Sequence, residues 1–138
     1  MQVNICHRLI KNMIKNGESF LRRYGSDDYV VITQNMPKGV YATKTYKIGE
    51  IIIELKGELV LKPTRESIHI GHGMHVIDKY GKYINHSFNP NTQIELNKVI
   101  AIKEINLYDE ITFNYNESEI EMAEPFEVDG INVCGKII

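Results

Sequence analysis

The feature that most constrains this chain is how often its apolar runs are cut short. Tyr29–Thr33, Gly39–Thr43, Ile51–Leu55 and Glu58–Leu61 are rich in β-branched and aromatic residues, and Pro37, Lys47-Ile48-Gly49, Gly57 and Pro63 separate or close them. Runs of this kind bounded by turn formers read as strands. Thr64–Ile70 and Met74–Ile77 predict a hairpin across Gly71-His72-Gly73, and Gln93–Leu96 with Val99–Ile102 another through Asn97-Lys98. Ile111–Phe113 is one more short strand, and the acidic stretch 117–124 reads as a short helix or a loop. Many short strands with close turns argue for a mostly β core with short helices, an α+β domain, and against a parallel α/β sheet. There is no internal repeat and no low-complexity tract.

The N-terminus is patterned differently. Ile5, Leu9 and Met13, with Ile10 and Ile14 alongside, recur at helical spacing, Gly17 breaks the pattern, and Phe20, Leu21 and Tyr24 form a second apolar patch. Residues 2–24 therefore predict an amphipathic helix or two short ones, closed by the turn cluster Gly25-Ser26-Asp27-Asp28. This divides the chain into a helical arm (1–28), a core (29–116) and a C-terminal segment (117–138). The arm's apolar stripe would pack on the core or join two copies as a homodimer.

Composition sets the outer bounds. A chain of 138 residues is most simply one domain, able to bury a core without disulfides or metals. A net charge of −2 gives no general attraction to nucleic acid or to an anionic membrane. The only two cysteines, Cys6 and Cys134, lie near opposite ends and make no disulfide framework, which fits a reducing compartment. No apolar run approaches the ~18 residues of a membrane span. Lys11, Lys15 and Glu18 interrupt the N-terminal apolar residues and argue against a secretory signal. The expected location is cytoplasmic, or the host nucleus for a parasite or viral protein.

Two segments carry the chemistry: Tyr83-Ile84-Asn85-His86-Ser87-Phe88-Asn89-Pro90-Asn91 and, downstream, Asp109-Glu110-Ile111-Thr112-Phe113-Asn114-Tyr115-Asn116. Each alone reads as turn chemistry, because Asn and Ser bond their own backbone and Asn-Pro favours turns. Together, in this order and at this spacing, they resemble the signature segments of the SET domain, the lysine methyltransferase fold that uses S-adenosyl-L-methionine. Lys38-Gly39-Val40-Tyr41-Ala42-Thr43 resembles the family's glycine-rich first motif, with Pro37 near the place of its usual first glycine. Tyr46-Lys47-Ile48-Gly49-Glu50-Ile51-Ile52 and His75-Val76-Ile77-Asp78 resemble its strand entries. The resemblance is good over residues 29–116 and extends loosely to about 138.

It implies a β-clip of small sheets with knot-like threading. It also implies a cofactor site at Lys38, Gly39, Val40, Tyr41, Tyr83, Asn85 and His86, and a methyl-transfer channel at Phe113 and Tyr115, with Tyr115 as the catalytic tyrosine. The partner implied is a lysine-containing protein, histone-like or otherwise basic. Phe113, where relatives hold Phe or Tyr, hints at di- or trimethylation, or is simply a core aromatic on a strand.

The departures also carry expectations. Phe88 stands where many relatives hold cysteine, and of the cysteine-rich zinc segment that often follows only Cys134 remains. A structural zinc needs about four Cys or His ligands, so no zinc is expected and Phe126, Val128, Ile131 and Val133 are candidates to close a C-terminal lid by packing. His69, His72 and His75 read as exposed positions of a hairpin rather than a metal site. Glu117, Glu119, Glu121 and Glu124 read as a solvated acidic face. Alternatives to lysine methylation are a SET-fold enzyme acting on a small amine or using the cofactor differently, and a non-catalytic module.

Overall fold

The computed structural model describes residues 20–24, 28–32, 38–119 and 122–135. It is built from small sheets. Strands β1 (Phe20–Tyr24), β2 (Tyr29–Ile32) and β3 (Gly39–Ala42) form one antiparallel sheet. A second orders β4 (Ile51–Glu54), β10 (Lys98–Ala101) and β9 (Thr92–Glu95), and a third β5 (Gly57–Val60), β7 (Met74–Asp78) and β6 (Ile68–Gly71). Two-stranded pairs join β8 (Asn85–His86) to β11 (Thr112–Phe113) and β12 (Phe126–Val128) to β13 (Ile131–Val133). The helices among the described residues are a 3-10 turn at Gly81–Tyr83 and α1 (Tyr115–Ser118).

Every strand expected from Tyr29 to Phe113 is present, and all but one lie within a residue or two of their predicted limits. The exception is β6, which starts at Ile68 rather than Thr64 because Thr64–Ser67 closes a turn through Ser67 N–H to Thr64 O (3.3 Å). The N-terminal reading needs correction. Phe20–Tyr24 is a strand, pairing Phe20 with Ile32 and Tyr24 with Tyr29, not part of a helix. Hydrogen bonds offered by β2 override a short helical pattern there. Residues 1–19, with the helical stripe expected of them, lie outside the described residues.

All four residues of β2 and all four of β3 are buried, because this sheet is covered on both faces. Side chains alternate along a strand. Tyr29, Val31, Val40 and Ala42 enter the main core, while Val30, Ile32 and Tyr41 form a small cluster with Tyr108. The main core runs on through Ile53, Leu55, Val76, Ile84, Val99, Ile105, Ile111 and Phe113, so it touches every sheet that holds a motif.

Turn chemistry fixes the hairpins. His72 (φ 55°) and Gly73 (φ 73°) join β6 to β7, and Asp129 (φ 52°) and Gly130 (φ 77°) join β12 to β13. Two left-handed residues give the twist that a two-residue hairpin needs. The β9–β10 turn falls on Leu96-Asn97, one residue before the predicted pair, with Leu96 at φ 54°. At Gly57 (φ 155°) an added Cβ would lie 2.0 Å from the Ile77 carbonyl oxygen, so only glycine lets β5 approach β7 there.

Candidate active site

Asp78 ends β7 and turns the chain into the site. Its buried carboxylate accepts from the backbone N–H of Tyr80 (2.8 Å) and Gly81 (2.6 Å) through Oδ1, and of Lys56 (2.8 Å) through Oδ2. These bonds satisfy the donors at the start of the 3-10 turn. That turn delivers Ile84, Asn85 and His86. β8 and β11 then pair in parallel, Asn85 beside Thr112 and His86 beside Phe113. Parallel neighbours need a long connection, here residues 87–111.

Asn91 ties the two segments together: its Nδ2 donates to Glu110 O (2.8 Å) and its Oδ1 accepts from Thr112 N–H (3.0 Å). Thr92 Oγ1 donates to Thr112 O (2.7 Å), and Ser87 N–H to Phe113 O (3.1 Å). The glycine-rich segment joins through Ile111 N–H to Val40 O (2.8 Å) and Ala42 N–H to Asp109 O (2.9 Å). Three motifs distant in sequence thus share one hydrogen-bonded corner.

Asn85 donates through Nδ2 to Lys38 O (2.7 Å) and to Glu110 Oε2 (2.6 Å). Gly39 lies directly behind: a Cβ there would stand 2.6 Å from Glu110 Oε2 and 3.0 Å from Asn85 Nδ2. Burial raises the Glu110 pKa, and the Asn85 hydrogen bond partly opposes this.

His86 accepts the Tyr115 N–H at Nδ1 (3.1 Å). The neutral ring therefore carries its proton on Nε2, which is buried with no partner among the described residues. Burial lowers the His86 pKa and keeps the ring neutral. Phe88 (4.4 Å), Tyr115 (5.2 Å) and Phe126 (6.1 Å) meet this ring edge to face.

The Tyr115 hydroxyl donates to Ile84 O (2.5 Å). Burial, then the charges of Glu119 and Glu110, push its pKa well above the usual phenol range. It is a fixed phenol that donates, not a base. Its ring stands on two cavities. A groove of about 660 Å³ runs past Asn85, His86, Phe126 and Val128. A second cleft, lined by Ile68, Gly81, Ile84, Phe113 and Glu119, adjoins it. Tyr115 belongs to both. Phe113 packs 4.7 Å from Tyr115 at the inner wall of the cleft.

The C-terminal segment expected to form a lid is fastened by hydrogen bonds more than by packing. Of the four expected packing residues, only Val133 is fully buried; Phe126 and Ile131 are exposed. Asn116 does the fastening. Its Oδ1 accepts from Cys134 N–H and Gly135 N–H (3.0 Å each), and its Nδ2 donates to Asn132 O (3.0 Å).

The remaining candidates sit apart from this corner. The Val40 and Tyr41 side chains are fully buried in the two cores, so only their backbone faces the site. Tyr83 packs against the main core with the Lys82 ammonium over its ring. His69 and His75 are cross-strand partners with rings 5.1 Å apart, and His75 is buried, so the hairpin is not simply polar and exposed. The acidic face also needs correction: Glu117 and Glu124 are exposed, Glu121 lies outside the described residues, and Glu119 is buried in the cleft. Glu110, Asn116 and Glu119 escaped the sequence reading because polar residues after turns look solvated. What distinguishes them is their long-range partners.

Residues 38–116 match the profile of the SET domain family. No curated protein matches the chain in sequence. Several solved structures are similar in fold. A humanized mutant of the Chaetomium thermophilum Polycomb Repressive Complex 2 bound to the inhibitor GSK126 is 18% identical, with TM-score 0.48 over 79% of this chain and 18% of that one. An apo form of the same complex mutated in Ezh2 gives 18% identity and TM-score 0.50 over 77% and 19%. An autoinhibited form bound to S-adenosylmethionine gives 19% and 0.49 over 75% and 19%. The chain spans about a fifth of the length of these chains. At such identity the likeness at TM-score 0.50 concerns the fold alone, an arrangement of small sheets.

Proposed function

The chain belongs to the SET domain family, and on that footing we propose that it binds S-adenosyl-L-methionine and transfers its methyl group to a lysine side-chain amine of a protein. The observation that carries this reading is the position of Tyr115. It lines both the groove that runs past Asn85 and His86 and the cleft that holds Phe113, its phenol fixed on the Ile84 carbonyl.

The groove suits the cofactor. The buried His86 Nε2–H has no partner among the described residues, a donor suited to a polar ligand. Lys38, Gly39, Val40 and Tyr41 would contribute backbone, and Asn85 and His86 side chains, with Tyr83 behind them. When bound, the cofactor supplies an electrophilic methyl group on a cationic sulfur. Phe126 and Val128 line the same groove and would exclude water from it.

The cleft suits an extended amine-bearing side chain. Ile84, Phe113 and the Tyr115 ring are apolar walls that disfavour a protonated amine, and the Tyr115 phenol orients the nitrogen. Holding nucleophile and methyl carbon in line is the main contribution required. Exposed Glu124, on the rim of both cavities, favours a basic peptide. Phe113, with no hydroxyl to hold a water beside the amine, is consistent with more than one methyl group being added.

The test is transfer of tritiated methyl from S-adenosylmethionine to core histones and to a lysine-peptide array, with Tyr115→Phe as control. Labelling that is lost in the variant supports the reading. Cofactor binding without transfer to any lysine peptide directs the search to small amines.

A further inference from the structure

Glu119 is an ionisable side chain in an unusual place. It is 5% exposed, and a buried carboxylate is costly unless it is paired. Both hydrogen bonds it accepts from described residues end on one oxygen, Oε2: from His69 N–H (2.9 Å) and from Ser118 Oγ (3.3 Å). Oε1 receives none from the described residues. No ion pair reaches Glu119 among the described residues. Yet it lines the cleft that also holds Tyr115, Phe113 and Ile84.

The surroundings do not supply the missing charge. From β6, the His69 ring is held at Nδ1 by Ser118 O (3.0 Å). From β7, burial and His69 lower the pKa of His75, keeping it neutral. Tyr115, on α1, is a phenol. At the mouth of the cleft, Lys82 pairs with Glu66 (3.3 Å), while Arg65 and Glu124 are exposed. The cleft therefore has a charged mouth at Arg65, Glu66, Lys82 and Glu124 and an inner stretch of Ile68, Ile84, Phe113 and Tyr115. In its wall is a half-satisfied carboxylate, the one group there among the described residues that can receive an incoming ammonium and take its proton.

Resting on the methyl-transfer reading above, we propose that the Glu119 carboxylate receives the substrate ammonium and takes its proton before methyl transfer. The ammonium R–NH3⁺ gives one proton to Glu119, leaving R–NH2 and a carboxylic acid. The freed nitrogen lone pair forms the N–CH3 bond as the methylsulfonium S–CH3 bond breaks and its electron pair returns to sulfur. The carboxyl then releases its proton to water through the cleft. Burial raises the Glu119 pKa to about 7, which suits an acceptor working near neutrality.

The test uses n-butylammonium as a lysine side-chain mimic on protein saturated with S-adenosylhomocysteine, followed by NMR of 13C-labelled glutamate carboxyls. The expected result is that the Glu119 signal titrates near neutral pH, that butylammonium moves its midpoint downward, and that Glu119→Gln weakens butylammonium binding about tenfold or more. The Gln variant keeps an acceptor for His69 N–H, so the fold is retained; a single cooperative melting transition and undiminished S-adenosylhomocysteine binding check this. With a peptide substrate, the rate deficit of Glu119→Gln should shrink from pH 7 toward pH ~10, where the amine loses its proton unaided. A Glu119 signal indifferent to the amine in protein that binds S-adenosylhomocysteine overturns this inference alone. Absence of S-adenosylhomocysteine binding overturns the methyl-transfer reading beneath it. A deficit equal at every pH assigns Glu119 a structural role.

Discussion

Asn116→Ala should open the lid without unfolding the domain. The side chain makes three hydrogen bonds to the strand that carries Val133: from Cys134 N–H, from Gly135 N–H and to Asn132 O. Asn132 is exposed, so water replaces that bond at little cost. Gly135 is buried and Cys134 half-buried, so their N–H groups lose a partner that water replaces poorly. At about 1 kcal/mol for each bond and more for a stranded buried donor, the loss is ~2–3 kcal/mol. That is about a 30- to 150-fold shift toward the open lid.

What remains among the described residues is the buried Val133, the Met122 N–H bond to Cys134 O (3.1 Å) and the Phe126 ring against His86 and Tyr115 (6.1 Å each). The core sheets do not depend on Asn116. Amide exchange across residues 126–135 should accelerate by about that factor, while β2, β3 and β10 keep their protection. S-adenosylhomocysteine should bind more weakly, because Phe126 and Val128 line the groove. Asn116→Asp keeps both acceptor bonds and should fall between. Lid protection unchanged in Asn116→Ala, or protection lost equally in lid and core, would refute the reasoning.

Tyr115→Phe should lower methyl transfer by at least ~100-fold, since the amine loses its fixed orienting hydroxyl. The lost bond to Ile84 O costs only about 1 kcal/mol of stability, read by a kinetic assay beside thermal melting. Gly39→Ala should displace Glu110 from Asn85, because the new Cβ lies 2.6 Å from the carboxylate; a cost of ~1–3 kcal/mol and weaker cofactor binding by calorimetry are expected. Glu119 also makes stability depend on pH. Its folded pKa, about 7, lies above the ordinary carboxylate value of 4.5, so its contribution is fully present below pH ~4.5 and is lost as pH rises through 7. Relative to Glu119→Gln, the wild type should lose up to ~3 kcal/mol across that window by urea unfolding, and a constant difference would refute it.

Much of this was legible in the sequence. The strands from Tyr29 onward follow from β-branched runs closed by glycine, proline and asparagine, and the motifs named the corner where Asn85, His86 and Tyr115 meet. Phe20–Tyr24 was not legible as a strand, because an exposed-looking apolar patch carries no sign of its partner until β2 is placed beside it. Glu119 was read as solvated because acidic neighbours surround it. Its burial comes from β6, 50 residues earlier in the chain, whose His69 N–H it accepts. Asn116 was passed over as the residue after Tyr115, and its role is visible only once residues 132–135 fold back over it. Local pattern thus specified the elements, while long-range pairing decided which polar side chains are buried and engaged.

Isothermal titration with S-adenosylhomocysteine, wild type against Asn85→Ala, tests the central claim most directly. The account predicts binding on the order of micromolar for the wild type, and its loss when Asn85 no longer holds Lys38 O and Glu110 in place. Absence of binding at millimolar ligand, or equal binding by both proteins, would contradict it.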